Sequence, residues 1–284
     1  MIKRVLVALD PDSDTPAATQ CAVDLAQRHH GKLTGLAVVD TKHISSEVGT
    51  GGIGTIYYAD QLREHLGKES RKKAQELIDQ FKDTVEETGV PHSEGVEEGV
   101  PFERIMEDMK YHDILVIGRD SHFFYYRPEE KTNTLARVVK KGVAPVIVTH
   151  KEHRPINNVL LAYDGSDASA RAMQAFVQLN PFGQEVSIKI IHVRDGETNK
   201  NVGMSKLILR LAAQYIQAHG YEQLETESLS SGSETNKIMN YAEDMKADLI
   251  IAGAHSVNAI KRLTFGSTTS DLLDNSPAAM LLHH

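Results

Sequence analysis

Short apolar runs alternate along this chain with stretches of helical period, and the whole series occurs twice. Ile2 to Asp10 reads IKRVLVALD, a continuous β-type run closed by an acid. Thr15 and Pro16 then open a helix with Ala18, Ala22 and Leu25 on one face, and Gly31 is expected to close it. LTGLAVV predicts a second strand, followed by a long helix with Ala74, Leu77, Phe81 and Val85 in one stripe and a stop at Gly89. A weak third strand lies around Ser93 to Glu97. DILVIG from Asp113 is apolar enough for a strand buried on both faces, and VAPVIV from Val143 supplies the last. The second series runs through LLAYD, a helix from Ser169, VSIKIIHV, and a helix with Leu207, Ile208, Leu211 and Tyr215. It ends with a strand near Leu224 to Ser228, DLIIAG, and SPAAMLL from Ser276.

The two series correspond in order. VEEGVPFERIMEDMKYHDILVIGRDS, ending at Ser121, matches LSSGSETNKIMNYAEDMKADLIIAGAHS, ending at Ser256, once two residues are inserted in the second helix. A period of half a chain is too long for a solenoid and indicates a duplicated domain, with boundaries expected at 1–150 and 156–284. Alternating strands and helices with short connections predict an α/β fold. Each half should be a doubly wound, five-stranded parallel-sheet domain. The join, THKEHRP from Thr149, is short and polar, so the halves must lie against each other.

Composition narrows the function. A net charge of −8 argues against general nucleic-acid affinity, which needs a basic face. One cysteine, Cys21, excludes an internal disulfide and fits a reducing compartment. It shares a helix face with Ala18 and Leu25, as an inert core thiol would. The opening apolar run is too short for a secretory leader, and no run approaches the roughly twenty residues of a membrane span. The cytoplasm is the expected location.

Candidate chemistry lies beyond the carboxyl ends of the strands, where doubly wound folds hold ligands. In the second half these positions are Asp164, Gly165 and Ser166, and the stretch from Gly253 to Leu273. Gly266, Ser267 and Thr268 precede a helix, whose free amides with two hydroxyls make an anion site, and Lys261 and Arg262 would add positive charge. The plainer alternative, that Gly253 only ends a strand and Ser267 only caps a helix, stands evenly beside it.

With LLAYDGSDAS, DLIIAGAHS and the spacing of Gly, nine residues, GlySer, the whole chain resembles a tandem universal stress protein. The resemblance implies two domains of adenine nucleotide alpha hydrolase-like fold, joined through their last strands as an internal pseudo-dimer. It implies ATP, with Mg2+ accompanying the nucleotide. Asp164 would meet the ribose, the Val193 backbone the adenine, and Gly253, Ser256, Gly266, Ser267 and Thr268 the phosphates. Ser256 replaces the second glycine of the family motif and adds a Cβ beside the phosphate path. The first half keeps Asp10, Val38, Gly118 and Ser121, but its closing element carries Thr132 and Thr134 with no glycine, and HFFYYRPEE is bulkier. That half is read as having lost or changed its ligand, with Thr132 or Thr134 left to cap a helix. The function implied is a stress-response sensor or switch whose occupancy a protein partner reads; homodimers of whole chains stay open. Two rivals remain: a chaperone-like interaction protein without nucleotide, and a binder of a nonpolar metabolite beneath Gly49 to Gly54.

Other signals carry less. GTGGIG at Gly49 to Gly54 matches a dinucleotide fingerprint, but no strand runs into it. The 14 histidines lack the cysteine or carboxylate company of a metal site, and none is assigned as a ligand. No nucleophile elbow, Walker lysine or carboxylate pair marks an enzyme, so slow ATP turnover is the most that is expected.

Overall fold

A computed structural model describes residues 1–11, 14–47, 56–123, 125, 133–254 and 276–284. The first half contains β1 (Arg4–Leu9), α1 (Thr15–His29), β2 (Lys32–Asp40), α2 (Thr41–Glu47) and α3 (Ile56–Glu86). It continues through β3 (His92–Gly99), α4 (Pro101–Met109), β4 (Ile114–Gly118), α5 (Thr134–Lys141) and β5 (Val146–Thr149). The second half contains β6 (Asn158–Ala162), α6 (Asp167–Leu179), β7 (Ser187–Val193), α7 (Asn199–Ala218), β8 (Leu224–Leu229), α8 (Glu234–Asp244), β9 (Leu249–Gly253) and β10 (Ala279–His283).

All ten strands form one sheet, in the order β3-β2-β1-β4-β5-β10-β9-β6-β7-β8. Within each half the neighbours pair in parallel, and the halves meet through antiparallel β5 and β10, with Met280 opposite Val148 and Leu282 opposite Val146. The expected internal pseudo-dimer is therefore built by main-chain hydrogen bonding across a seam. Because the seam is antiparallel, the carboxyl ends of the two sets of strands point to opposite rims of the sheet.

The central strands read as unbroken apolar runs because helices cover both faces. One layer of core holds Val5, Val7, Leu25, Phe81, Ile114, Ile190 and Ile251, and the other holds Leu6, Ala8, Ile105, Leu115, Ile250 and Leu282. The edge strands β3 and β8 are only partly covered, which is why their apolar signal is weak.

Two local expectations are corrected. Helix α1 does not close on Gly31: His30 takes the left-handed conformation, φ +50°, and its amide bonds back to Ala26 and Gln27. Gly31 answers to a different constraint, since a Cβ there would stand 3.0 Å from the Ile2 carbonyl oxygen. In α7 the core face is Ser205, Leu209, Ala212 and Ile216, while Leu207 and Leu211 remain exposed. The predicted start at Thr15 and Pro16 is observed, with the Thr15 hydroxyl donating to the Asp10 carbonyl and accepting from the Asp10 amide.

Candidate functional site

In the second half, β6, β7 and β9 are neighbours, and their carboxyl ends bring Asp164, Val193 and Gly253 to one rim. Gly165 turns the chain with φ +77°, a conformation that favours glycine. The Asp164 carboxylate accepts the Ser166 amide at 2.9 Å, and Ser166 caps α6 by accepting the Ser169 amide at 3.3 Å. A cleft here is lined by Tyr163, Asp164, Ile191, Val193, Glu234 and Ile238. Asp164 and Val193 are both half-buried, so polar and apolar walls face the same opening.

A polar chain stiffens the back of this rim. His192 Nδ1 lies 2.8 Å from the Ser205 hydroxyl, which lies 2.7 Å from that of Ser228. Arg194 donates to the Ser228 carbonyl at 3.1 Å and reaches the Glu197 carboxylate. Burial lowers the His192 pKa from its ordinary value, against the pull of nearby Asp164 and Asp195, so the ring favours its neutral form. At the end of β9, the Ala254 amide donates to the His283 carbonyl at 2.8 Å. Ser256, Gly266, Ser267 and Thr268 lie outside the described residues.

The corresponding rim of the first half, at the opposite edge of the sheet, is filled. Asp10 is fully buried, and its carboxylate accepts the Phe123 amide in a very short hydrogen bond. Val38 is buried where Val193 is half-open. Gly118 is needed because the Asp14 side chain packs on it: a Cβ there would be 2.9 Å from the Asp14 Cβ and 3.3 Å from the Ser121 hydroxyl. Asp14 in turn accepts the Asp120 amide at 3.2 Å. Thr132 lies outside the described residues. Thr134 does not cap α5, because Asn133 holds the N-cap position and Thr134 is the first helical residue. Phe123 and Tyr125, which the sequence reading passed over as bulk, are buried at this rim; a run of aromatic residues just past a site strand was their signal.

A cavity of about 410 Å³ opens on the seam, between α1, the 149–157 join and the start of β10. Sequence spacing gave no sign of it, because it is made by the meeting of the halves. Cys21 lies on its wall, buried, and burial with the nearby Asp24 charge pushes its thiol up to about 12. Gly49 to Gly54 fall outside the described residues. Among the described residues no group of three or more His, Cys, Asp or Glu side chains could hold a metal, and no helix is long and apolar enough to cross a membrane.

The universal stress protein family model matches residues 1–150 and again 155–284. The chain belongs to the universal stress protein family. This universal stress protein is 26% identical to one from Synechocystis sp. over 99% of both chains. A shorter relative from Bacillus subtilis is 21% identical, covering 44% of this chain and 97% of its own. Among solved structures, a universal stress protein from Archaeoglobus fulgidus aligns with a TM-score of 0.66 at 20% identity, over 99% of this chain and 95% of that one. That likeness shows the fold: two family domains in tandem on a mostly parallel sheet.

Proposed function

We propose that this universal stress protein, divided at residues 150–156, binds an adenine nucleotide in its second domain, preferably ATP with Mg2+. A protein partner would read the occupancy as a stress signal in the cytoplasm. The observation that carries this reading is the convergence of Asp164, Val193 and Gly253 on one half-open rim, at the place where doubly wound folds take ligands. The half-buried Asp164 carboxylate suits ribose hydroxyls, and the Val193 main chain beside Ile191 and Ile238 suits the edge and face of a base. Phosphates fall to Gly253, Ser256, Gly266, Ser267 and Thr268, on the strength of the motif spacing. The role proposed is binding, with slow turnover at most, because the sequence carries no nucleophile elbow, Walker lysine or carboxylate pair.

Calorimetric titration of ATP with Mg2+ into the whole chain tests the proposal. One site per chain is expected, weakened about tenfold or more by Asp164→Ala, since a lost charge-assisted hydrogen bond is worth about 1.5–3 kcal/mol. Absence of binding to the unaltered chain overturns it.

One observation favours the rival reading, an interaction protein. Met204, Leu207 and Leu211 form an exposed apolar stripe on α7, spaced to share a face. If that reading holds, Leu207→Gln with Leu211→Gln removes the response to the partner and leaves ATP titration unchanged.

A further inference from the structure

The cavity on the seam belongs to neither half alone. Helix α1 forms one wall with Cys21, Leu25 and Arg28, the turn after α6 another with Phe182, Glu185 and Val186, and the join from Thr149 to Asn157 a third. Three sets of contacts brace this frame. His29 Nε2 lies 3.4 Å from the Pro181 carbonyl, and His153 Nε2 lies 2.8 Å from the Asp24 carboxylate. Asp248 accepts the Asn157 and Asn158 amides at 3.0 and 2.8 Å. The floor is apolar: Cys21, Leu25, Val186, Ala247 and Ala278 are buried, while Ile156 and Phe182 keep part of their surface open. At about 410 Å³ the space is that of a small-molecule site.

The charges around it are unevenly committed. Asp24 is engaged by His153, Glu152 by Arg154 at 2.7 Å, and Asp248 by the main chain of the join. Arg28 and Glu185 remain, and among the described residues neither side chain makes a hydrogen bond or an ion pair. They are nonetheless neighbours. Gly183, φ +91°, lies beside both: a Cβ built there would collide with the Glu185 carboxylate and stand 2.8 Å from the Arg28 guanidinium. An uncommitted cation and an uncommitted anion thus share one small volume at the edge of an apolar floor. A simple fatty acid would satisfy Arg28 and set its carboxylate against Glu185, and a simple amine would do the reverse. A polyphosphate would meet Asp24, Glu152, Glu185 and Asp248 together.

We propose that the seam cavity is a binding site for an α-amino acid with a large apolar side chain. Arg28 takes the carboxylate, for which its planar fork is suited, and Glu185 takes the ammonium. The side chain lies on Leu25, Ile156, Phe182 and Val186. Such a ligand touches α1, the join and the turn after α6 at once, so its binding ties the two halves together and raises the melting temperature of the whole chain.

Calorimetric titration of L-phenylalanine and of L-leucine into the whole chain tests this, with and without ATP. At least one of them should bind at one site per chain, with the same affinity when ATP is present. Arg28→Met and Glu185→Gln, both at exposed positions, should each weaken that binding about tenfold or more, the worth of a charge-assisted hydrogen bond. The matching acid without its amino group should bind more weakly to the unaltered chain and be indifferent to Glu185→Gln. The proposal is overturned if neither amino acid binds, if either variant leaves the affinity unchanged, if the deaminated acid binds equally well, or if ATP displaces the amino acid. Failure of the second domain to take ATP would leave these readouts in force, because they are differences between variants at the seam.

Discussion

Gly35 shows how closely single residues are held beneath the second strand. A Cβ there would stand 2.8 Å from the Phe81 ring, which is itself buried. Gly35→Ala is expected to lower stability by about 1–3 kcal/mol in urea unfolding, and Phe81→Leu should recover part of the loss by making room. Cys21 gives a simpler test. With its thiol buried and pushed up to about 12, a disulfide reagent should leave the native chain unlabelled and label one thiol after denaturation. His29, His112, His150, His192 and His283 all have pKa values lowered by burial. The unfolded chain then binds more protons than the folded one below the ordinary histidine value of about 6.5. Their contribution is complete above that value and drains as pH falls, so thermal unfolding between roughly pH 7 and pH 5 should show the melting temperature dropping. At this scale the site was legible where a residue type is forced by its own chemistry, as with Asp164 and Gly165. It was not legible at Tyr125, which is buried and held by Lys73 of α3, far away in the sequence.

At the scale of elements, α1 and α6 end alike without glycine. His30 and Asn180 both adopt left-handed conformations, φ +50° and +48°. Their surroundings differ: His30 is exposed, whereas Asn180 accepts the Tyr221 hydroxyl at 2.9 Å. His30→Gly should therefore be neutral or stabilising by up to about 1 kcal/mol, because a left-handed side chain is costly. Asn180→Gly should destabilise by about 1–2 kcal/mol through the orphaned Tyr221 hydroxyl. Paired chemical denaturation curves would show the opposite signs. The strands were readable because burial on both faces forces unbroken apolar runs such as ILVIG and LIIAG. The face of α7 was not, because Leu207 and Leu211 are apolar beyond what the sheet covers, and their periodicity outweighed the small core residues Ser205 and Ala212. Gly31 misled for a related reason: a glycine after a helix reads as its stop, yet this one serves the close approach of the Ile2 and Lys3 main chain just before β1.

Across the whole molecule, the halves are locked by more than the β5 and β10 ladder. Arg119 donates to the Ala278 carbonyl at 3.2 Å, and His153 of the join lies 2.8 Å from the Asp24 carboxylate of α1. Heat or urea should unfold both domains in one transition. Met280, buried at the seam, is the lever. Met280→Lys places a charge in the core and is expected to split that transition into two, seen by calorimetry; a single transition at lower temperature would mean that the join and side-chain contacts suffice. The duplication itself was plain in the sequence, but the seam cavity was not, since neither half contains it.

The antiparallel seam has a consequence for inheritance. Two identical subunits sharing such a seam must change in step, because every substitution appears at both rims at once. When the partners are one chain, each rim has its own codons. Phe123 and Tyr125 can fill the first while Asp164 and Val193 stay half-buried at the second, and one common sheet carries both.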